Sequence, residues 1–391
     1  MNKETRQFIT ENINADIHHL ALQSARFPLV DMPLVIRQIN GKQKIKSKVP
    51  LFYNTEDVLY PAQLSLEQSS SESTAKYKST LCEGKTLTDL TGGFGVDCFF
   101  MSINFEDVSY VERQEELCVL TTHNFNILKR DHIRIINSDA EKYLSEMEHV
   151  DWIFIDPARR NSSGNKVVLL SDCEPDVSVL STLLLEKASH VMLKLSPMMD
   201  ITAAVRELPT TSEVHIVSTD NECKEILLIL QQTAPKSLLI KAVNINKKNE
   251  NQFFEYDLNE EINASASYTS NIERYLYEPN TSLMKSGAFK IICSRFDLYK
   301  LHNNTHLYTS TKLLLQFPGR IFEVKKMWGN SKNELKELTE KTPKANISTR
   351  NYPQTVDELR KKLKIKEGGD IYLFACTLVN EKKVILECKK C

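Results

Sequence analysis

Residues 88–97 read TDLTGGFGVD: a short β-rich run ends in an acid, passes through three glycines and opens a helical pattern. In that context a glycine-rich turn lets backbone approach a ligand closely. Gly92, Gly93 and Gly95 form the turn, and Asp89 and Thr91 flank it. The dinucleotide fingerprint asks for a further glycine three residues beyond Gly95, where this chain has Cys98. Nor is there the Gly-Lys-Ser or Gly-Lys-Thr of a phosphate-binding loop. A carboxylate at position 89 would repel pyrophosphate. It suits a ligand that carries positive charge and no phosphate.

Outward from this loop, TLTDLT, DVSYVE, HIRIINSD, VDWIFIDP, HVMLKLSP and SEVHIVST are strand candidates, separated by helical segments such as QEELCVLTTHNFNILK and SVLSTLLLEKAS. Such alternation predicts βαβ crossovers and a doubly wound, mostly parallel sheet. CKEILLILQ, just after STDNE, predicts a closing hairpin with one antiparallel strand. Three more acids end successive strands. Glu112 is placed to accept both hydroxyls of a ribose; Asp139, followed by Ala140, is placed to accept from an adenine amine; Asp156 follows at the fourth exit. Ligands of open α/β sheets bind outside the carboxyl ends of the strands. Any one of these acids alone reads as a solvated cap or turn residue. Together they describe an adenosine site, and a sulfonium methyl donor meets its charge requirement.

These motifs, DLTGGFGVD, the Glu112 strand exit, NSDA and IDPA, resemble those of class I S-adenosylmethionine-dependent methyltransferases. QSSSESTAKY, ahead of the first strand, is similar to the segment preceding the core of trimethylguanosine synthase-like enzymes. The glycine loop also resembles that of a bacterial ribosomal RNA guanine-N2 methyltransferase. KANISTRNYPQTVDELRKKLKIKEGGDIYLF resembles the THUMP-like domain of a bacterial methyltransferase family. The resemblance, with the module ahead of that domain, spans nearly the whole chain. It implies S-adenosyl-L-methionine as cofactor, held by Asp89, Thr91, Gly92, Gly93, Gly95, Glu112, Asp139 and Ala140. It also implies an RNA partner, ribosomal or transfer RNA, and a methylated exocyclic amine such as guanine N2.

Residues 151–160, DWIFIDPARR, bear on the acceptor. Enzymes that methylate exocyclic amines commonly place an acid or amide, two prolines and an aromatic at this exit. This chain keeps Asp156 and Pro157, the predicted catalytic pair; proline holds the residue before it extended. The second proline is Ala158, and the aromatic is Arg159. Arginine is no base at ordinary pH and offers only donors. Arg159 and Arg160 are therefore candidates to grip a phosphate or carboxylate or to stack on a base, or else to pair with Asp172 or Glu174. Phe94, Tyr53 and Trp152 are the candidates for the missing aromatic, with Trp152 expected in the core. A cysteine nucleophile would have to be Cys173 or Cys223. The fifth exit instead reads Lys194-Leu195-Ser196-Pro197, and serine is too weak a nucleophile without a base beside it.

The whole chain sets the frame. Its 391 residues are too many for one core, and 41% apolar with 26% charged residues is a globular composition. We expect a helical region over 1–75, a Rossmann-like domain over 76–250, a small α+β (ferredoxin-like) module over 251–319 and the THUMP-like α+β domain over 320–391. The polar stretch at 247–252 marks the second boundary. In the last module the expected order is strand, helix, strand, helix, strand, strand. Net charge is −1, yet residues 320–391 hold 17 Lys and Arg against 10 Asp and Glu, or +7. The helix expected at 355–366 presents Val356, Leu359 and Leu363 on one face. Arg360, Lys361, Lys364 and Lys366 then face solvent, either as an ordinary solvated surface or, for Arg360, Lys361 and Lys364, as phosphate ligands. The polar start, MNKETRQFITEN, has no apolar core of a signal peptide, and no run reaches a membrane span. Nine scattered cysteines suggest a reducing, cytoplasmic setting. The terminal Cys388–Cys391 pair stands alone, so no metal site is expected. Two other readings fit the same residues: a methyltransferase acting on protein or small molecules, and a non-catalytic RNA-binding factor.

Overall fold

The computed structural model describes residues 2–159, 169–246 and 251–391. The chain separates into two compact units, residues 1–213 with 225–235, and residues 214–224 with 236–391.

The first unit opens with α-helices at Lys3–Glu11, Ile17–Leu22, Met32–Lys48, Pro50–Asn54, Gln63–Gln68 and Glu72–Ser79. Their boundaries have local causes. Asp16, Asp31 and Ser71 each accept a backbone N–H from the first turn that follows them. Pro50 pushes Val49 out of helical geometry, so the long helix stops there and a new one starts. Leu20, Met32, Val35 and Ile39 pack into a local core beneath these helices.

The strands that follow are β1 (Thr86–Asp89), β2 (Asp107–Glu112), β3 (Ile133–Asn137), β4 (Val150–Ile155), the short β5 (Ala158–Arg159) and β6 (Cys173–Glu174), β7 (Ala188–Leu195), β8 (Thr211–Thr219) and β9 (Glu222–Gln231). In the first unit the main sheet runs β9-β7-β4-β1-β2-β3. β1, β2, β3, β4 and β7 are parallel, and β9 lies antiparallel on β7. The doubly wound sheet and its antiparallel strand are thus as expected. The chain reverses from β8 to β9 through Asp220 and Asn221, both left-handed at φ 50° and 65°. Such a turn matches strand twist, and Asp and Asn tolerate its backbone. β1 sits centrally, and its exit is flanked by those of β2 and β4.

In the second unit β10 (Leu239–Ile245) and β11 (Gln252–Asp257) pair antiparallel on either side of the polar stretch, of which 247–250 lie outside the described residues. β12 (Tyr275–Pro279), β13 (Tyr299–Lys300), β14 (Tyr308–Ser310), β15 (Gly319–Trp328), β16 (Asn346–Arg350), β17 (Ile371–Thr377) and β18 (Lys383–Lys390) form a sheet ordered β13-β14-β12-β15-β18-β17-β16. From β15 onward the elements come in the expected order, with helices Lys332–Lys341 and Val356–Leu363 as the crossovers. Glu278, at the end of β12, is 2% exposed and accepts from Arg320 of β15 and, at 2.8 Å, Arg350 of β16. The last helix ends at Leu363, short of the expected 366. Lys364 takes a left-handed φ of 53°, and Ile365 turns back into the core beside Leu359 and Leu363. Among the described residues no helix is long and apolar enough to cross a membrane.

Candidate active site

The site lies at the carboxyl ends of β1, β2 and β4. β1 exits at Asp89, which is 1% exposed. Its Oδ1 accepts the Thr91 N–H at 3.0 Å, while Oδ2 is buried and accepts from no described residue. Burial pushes the Asp89 carboxyl well above the usual carboxylate range. The Thr91 N–H opposes that shift, and the neighbouring Asp97, Asp156 and Glu112 carboxylates add to it. A buried, half-satisfied acid is an unfavourable group to keep unless something cationic completes it.

The glycine loop needs its glycines. A Cβ on Gly92 would stand 2.1 Å from the Tyr110 ring, and Gly93 and Gly95 hold φ of +56° and +80°. Tyr110 donates its hydroxyl to the Gly93 carbonyl at 2.6 Å, fixing the loop against β2. Glu112, at the end of β2, accepts the Gly93 N–H at 3.0 Å through Oε2 and the Gln114 N–H at 2.9 Å through Oε1. Asp139 is exposed and caps the helix Ala140–Glu146, its Oδ1 taking N–H bonds from Glu141 and Lys142. Capping is the local contact that the sequence also allowed for a lone acid.

Thr91 joins the loop to β4. Its hydroxyl oxygen accepts the Asp156 N–H at 2.7 Å. The Asp156 side chain remains 35% exposed, and its Oδ2 accepts from the Lys194 ammonium at 2.5 Å. Behind it lies a buried chain of alternating charge. Lys194 is 3.7 Å from Asp97; Asp97 is 3.1 Å from Lys78, and Lys78 is 2.6 Å from Glu225. The Ser70 hydroxyl donates to Asp97 at 2.7 Å. Burial disfavours the Lys194 ammonium, but Asp156, Asp97 and Glu225 outweigh it and hold its pKa above the ordinary lysine value. Burial likewise works against ionised Asp97, and Lys78 and Lys194 overcome it, lowering its pKa. Lys194 stays charged.

Sequence reasoning did not assign these roles to Lys78, Asp97, Lys194 or Glu225. A faint signal was present: Asp97 closes the glycine loop, and Lys194 interrupts the apolar run MLKL. Two aromatic candidates fall away. Phe94 is buried edge-on against Phe52, and Trp152 stacks on His190 at 4.7 Å and donates to the Glu83 carbonyl. Tyr53 is half-buried. Ala158 and Arg159 pair as β5 with Glu174 and Cys173 of β6, and Arg160 lies outside the described residues. Glu174 is bound at 2.6 Å by Arg113, a partner other than the two expected arginines. In the second unit Lys361 and Lys364 are exposed, but Arg360 is half-buried and donates to the Ala345 and Ile365 carbonyls at 3.4 Å. It braces its own domain as well as adding charge.

Residues 275–318 match the model of a ferredoxin-like domain family, and residues 319–390 match a THUMP domain-like family. A crystal structure of a Porphyromonas gingivalis W83 protein, assigned as a methyltransferase, is similar over 99% of this chain and 97% of its own, at 34% identity and TM-score 0.89. An rRNA methylase from Streptococcus thermophilus is 12% identical over 41% of this chain and 94% of its own, at TM-score 0.31. A Streptococcus mutans protein assigned as a methyltransferase, solved with SAH, is 15% identical over 41% of this chain and 96% of its own, also at TM-score 0.31. No curated protein matches the chain. With identity and coverage of this order against the Porphyromonas protein, and both C-terminal family models matched, the chain belongs to the bacterial family of class I methyltransferases that carry a C-terminal THUMP-like domain.

Proposed function

We propose that this protein is an S-adenosyl-L-methionine-dependent methyltransferase that methylates an exocyclic amine, guanine N2 or a similar group, in structured ribosomal or transfer RNA. The observation that carries the reading is the Thr91 bridge. One hydroxyl ties the loop of Asp89 to the backbone of Asp156, so the donor-binding and acceptor-orienting carboxylates share a rigid support.

The residues present fit the donor. The unpartnered Oδ2 of Asp89 is a buried acceptor with excess negative potential, suited to a cationic ligand. Gly92, Gly93 and Gly95 keep side chains off the approach, Glu112 is placed for ribose hydroxyls, and Asp139 and Ala140 stand at the next exit for the adenine. When bound, the donor supplies an electrophilic methyl group on a sulfonium. The protein supplies position. Asp156, held at its backbone by Thr91 and at Oδ2 by Lys194, accepts an N–H of the amine and so aims the nitrogen lone pair. Pro157 keeps the exit extended. Orientation of this kind accounts for much of the rate of an in-line displacement. Arg159, Arg160, Lys361 and Lys364 are assigned to RNA phosphates, with Arg360 contributing charge from its braced position.

Nucleoside mass spectrometry of a deletion strain tests the reading, because it names the base. Loss of one N-methylated nucleoside, restored by the wild-type gene and not by Asp156→Ala, is the expected result. Transfer of labelled methyl groups to total protein and not to total RNA would overturn it.

A further inference from the structure

The helix Met32–Lys48 carries lysines at 42, 44, 46 and 48, and the fold sorts them into two pairs. Residues four apart share a helix face. Lys44 and Lys48 lie against the helix Gln63–Gln68: Lys44 pairs with Glu67 at 2.9 Å, and Lys48 donates to the Leu66 and Glu67 carbonyls. Lys42 and Lys46 take the other side. Each holds its ammonium over the Tyr53 ring, 5.6 Å from its centre, at the outer limit of a cation–π contact, and among the described residues neither has a carboxylate within ion-pair distance. The three side chains border a groove of about 530 Å³, whose walls include Ile13, Ile17 and Asp16. Asp16 is the one acid there, and its Oδ1 is already engaged by the His18 and His19 N–H groups.

Two ammonium groups brought to one ring without a counter-carboxylate repel each other, so their natural complement is an anion. An acidic peptide would satisfy the charges and leave the ring and the apolar wall unused. A nucleotide uses all three features. Bases stack on aromatic side chains in a sequence-tolerant way, and lysines follow the phosphates. The groove volume falls within the usual span of a small-ligand site, roughly 300–1,000 Å³.

We propose that this groove binds a nucleotide of a single-stranded RNA segment, with Tyr53 stacking on the base and Lys42 and Lys46 holding the adjacent phosphates. The proposal rests on the RNA reading above and extends it to the N-terminal helical region.

The test is binding of the full-length protein to a fluorescent single-stranded RNA oligonucleotide of mixed sequence, by anisotropy, over a range of salt. Tyr53→Ala should weaken binding about 5- to 150-fold, and Tyr53→Phe should restore it. Lys42→Gln with Lys46→Gln should flatten the log–log salt slope by about 1.4 units, about 0.7 per phosphate contact. Unchanged melting temperatures exclude misfolding as the cause. If wild type binds and all three variants bind alike, the groove is ordinary surface and the RNA reading stands. If wild type does not bind RNA at all but binds an acidic peptide, both proposals fall.

Discussion

The Lys194 ammonium reaches Asp156 at 2.5 Å from the neighbouring strand β7, so the carboxylate proposed to orient the acceptor is fixed by a cation that is itself 11% exposed. Removing the lysine leaves Asp156 and Asp97 without a shared counter-charge. Breaking a buried pair from one side commonly costs about 3–5 kcal/mol, and the exposure of Asp156 places Lys194→Gln at the low end. We expect a lower melting temperature and reduced single-turnover methylation. Lys194→Arg, which keeps the charge, should recover stability before it recovers rate.

Asp156→Ala separates acceptor from donor. On the proposed role Asp156 acts on the reacting geometry, so turnover should fall while donor affinity, measured by titration calorimetry, stays near wild type. An equal loss of both would move Asp156 into the donor pocket.

Asp89→Asn should do two things of opposite sign. The folded pKa of Asp89 is raised, so between the unfolded value of 3.8 and the folded value the native state binds more protons than the unfolded one. Its contribution to stability is therefore present below pH 3.8 and lost as pH rises through the folded pKa. At neutral pH the asparagine variant, freed of that burden, should melt higher than wild type. Donor affinity should fall about 10- to 150-fold, as one charge-assisted contact is worth about 1.5–3 kcal/mol. Glu112→Ala should weaken donor binding similarly.

Lys361→Gln with Lys364→Gln should flatten the salt dependence of RNA binding by about 1.4 to 1.8 units without lowering the melting temperature. Adding Arg360→Gln should also destabilise the protein, because its guanidinium braces the Ala345 and Ile365 carbonyls. RNA affinity unchanged at low salt would leave this helix as plain surface.

His306 gives a pH signature in the second unit. Burial, reinforced by Lys300, Arg350 and His302, pushes its imidazole from 6.5 down to about 4. Stability linked to the neutral ring is complete above pH 6.5 and is lost as pH falls toward 4. Carboxylates such as Asp151, held below their usual value by backbone N–H groups, lose their contribution only near the unfolded 3.8 and below. Between pH 6.5 and 5 the raised Asp89 carboxyl acts with the opposite sign, so the histidine's share is read as the difference between wild type and a His306 variant. His306→Asn, which suits the left-handed backbone there, should flatten the curve over that interval.

Asp89, Glu112 and Asp156 were legible because each ends an apolar run, and a parallel sheet sends consecutive run ends to one edge. The glycines were legible because left-handed φ and contact with Tyr110 admit no side chain. Lys78 and Lys194 were not. Each sits in a segment whose periodicity gives only its element, and its partner is chosen by topology: Asp156 lies 38 residues before Lys194, and Glu225 lies 147 residues after Lys78. Arg360 was misjudged for a similar reason. Its outward helical phase was right, but the early end of the helix folds Ile365 back beneath it.

The Lys78–Glu225 pair also joins two segments made far apart in time. Synthesis runs from the N-terminus, so the helix Glu72–Ser79 emerges long before β9. Until then Lys78, fully buried in the finished protein, lacks one of its two carboxylate partners. Burying it half-paired is costly, so the docked helix is less stable until β9 has joined the sheet. A nascent chain ending near residue 219 has every motif of the donor loop and no settled place for the lysine behind it. The antiparallel strand thus completes the charge chain behind the donor loop, well after the last residue assigned to the donor has been made.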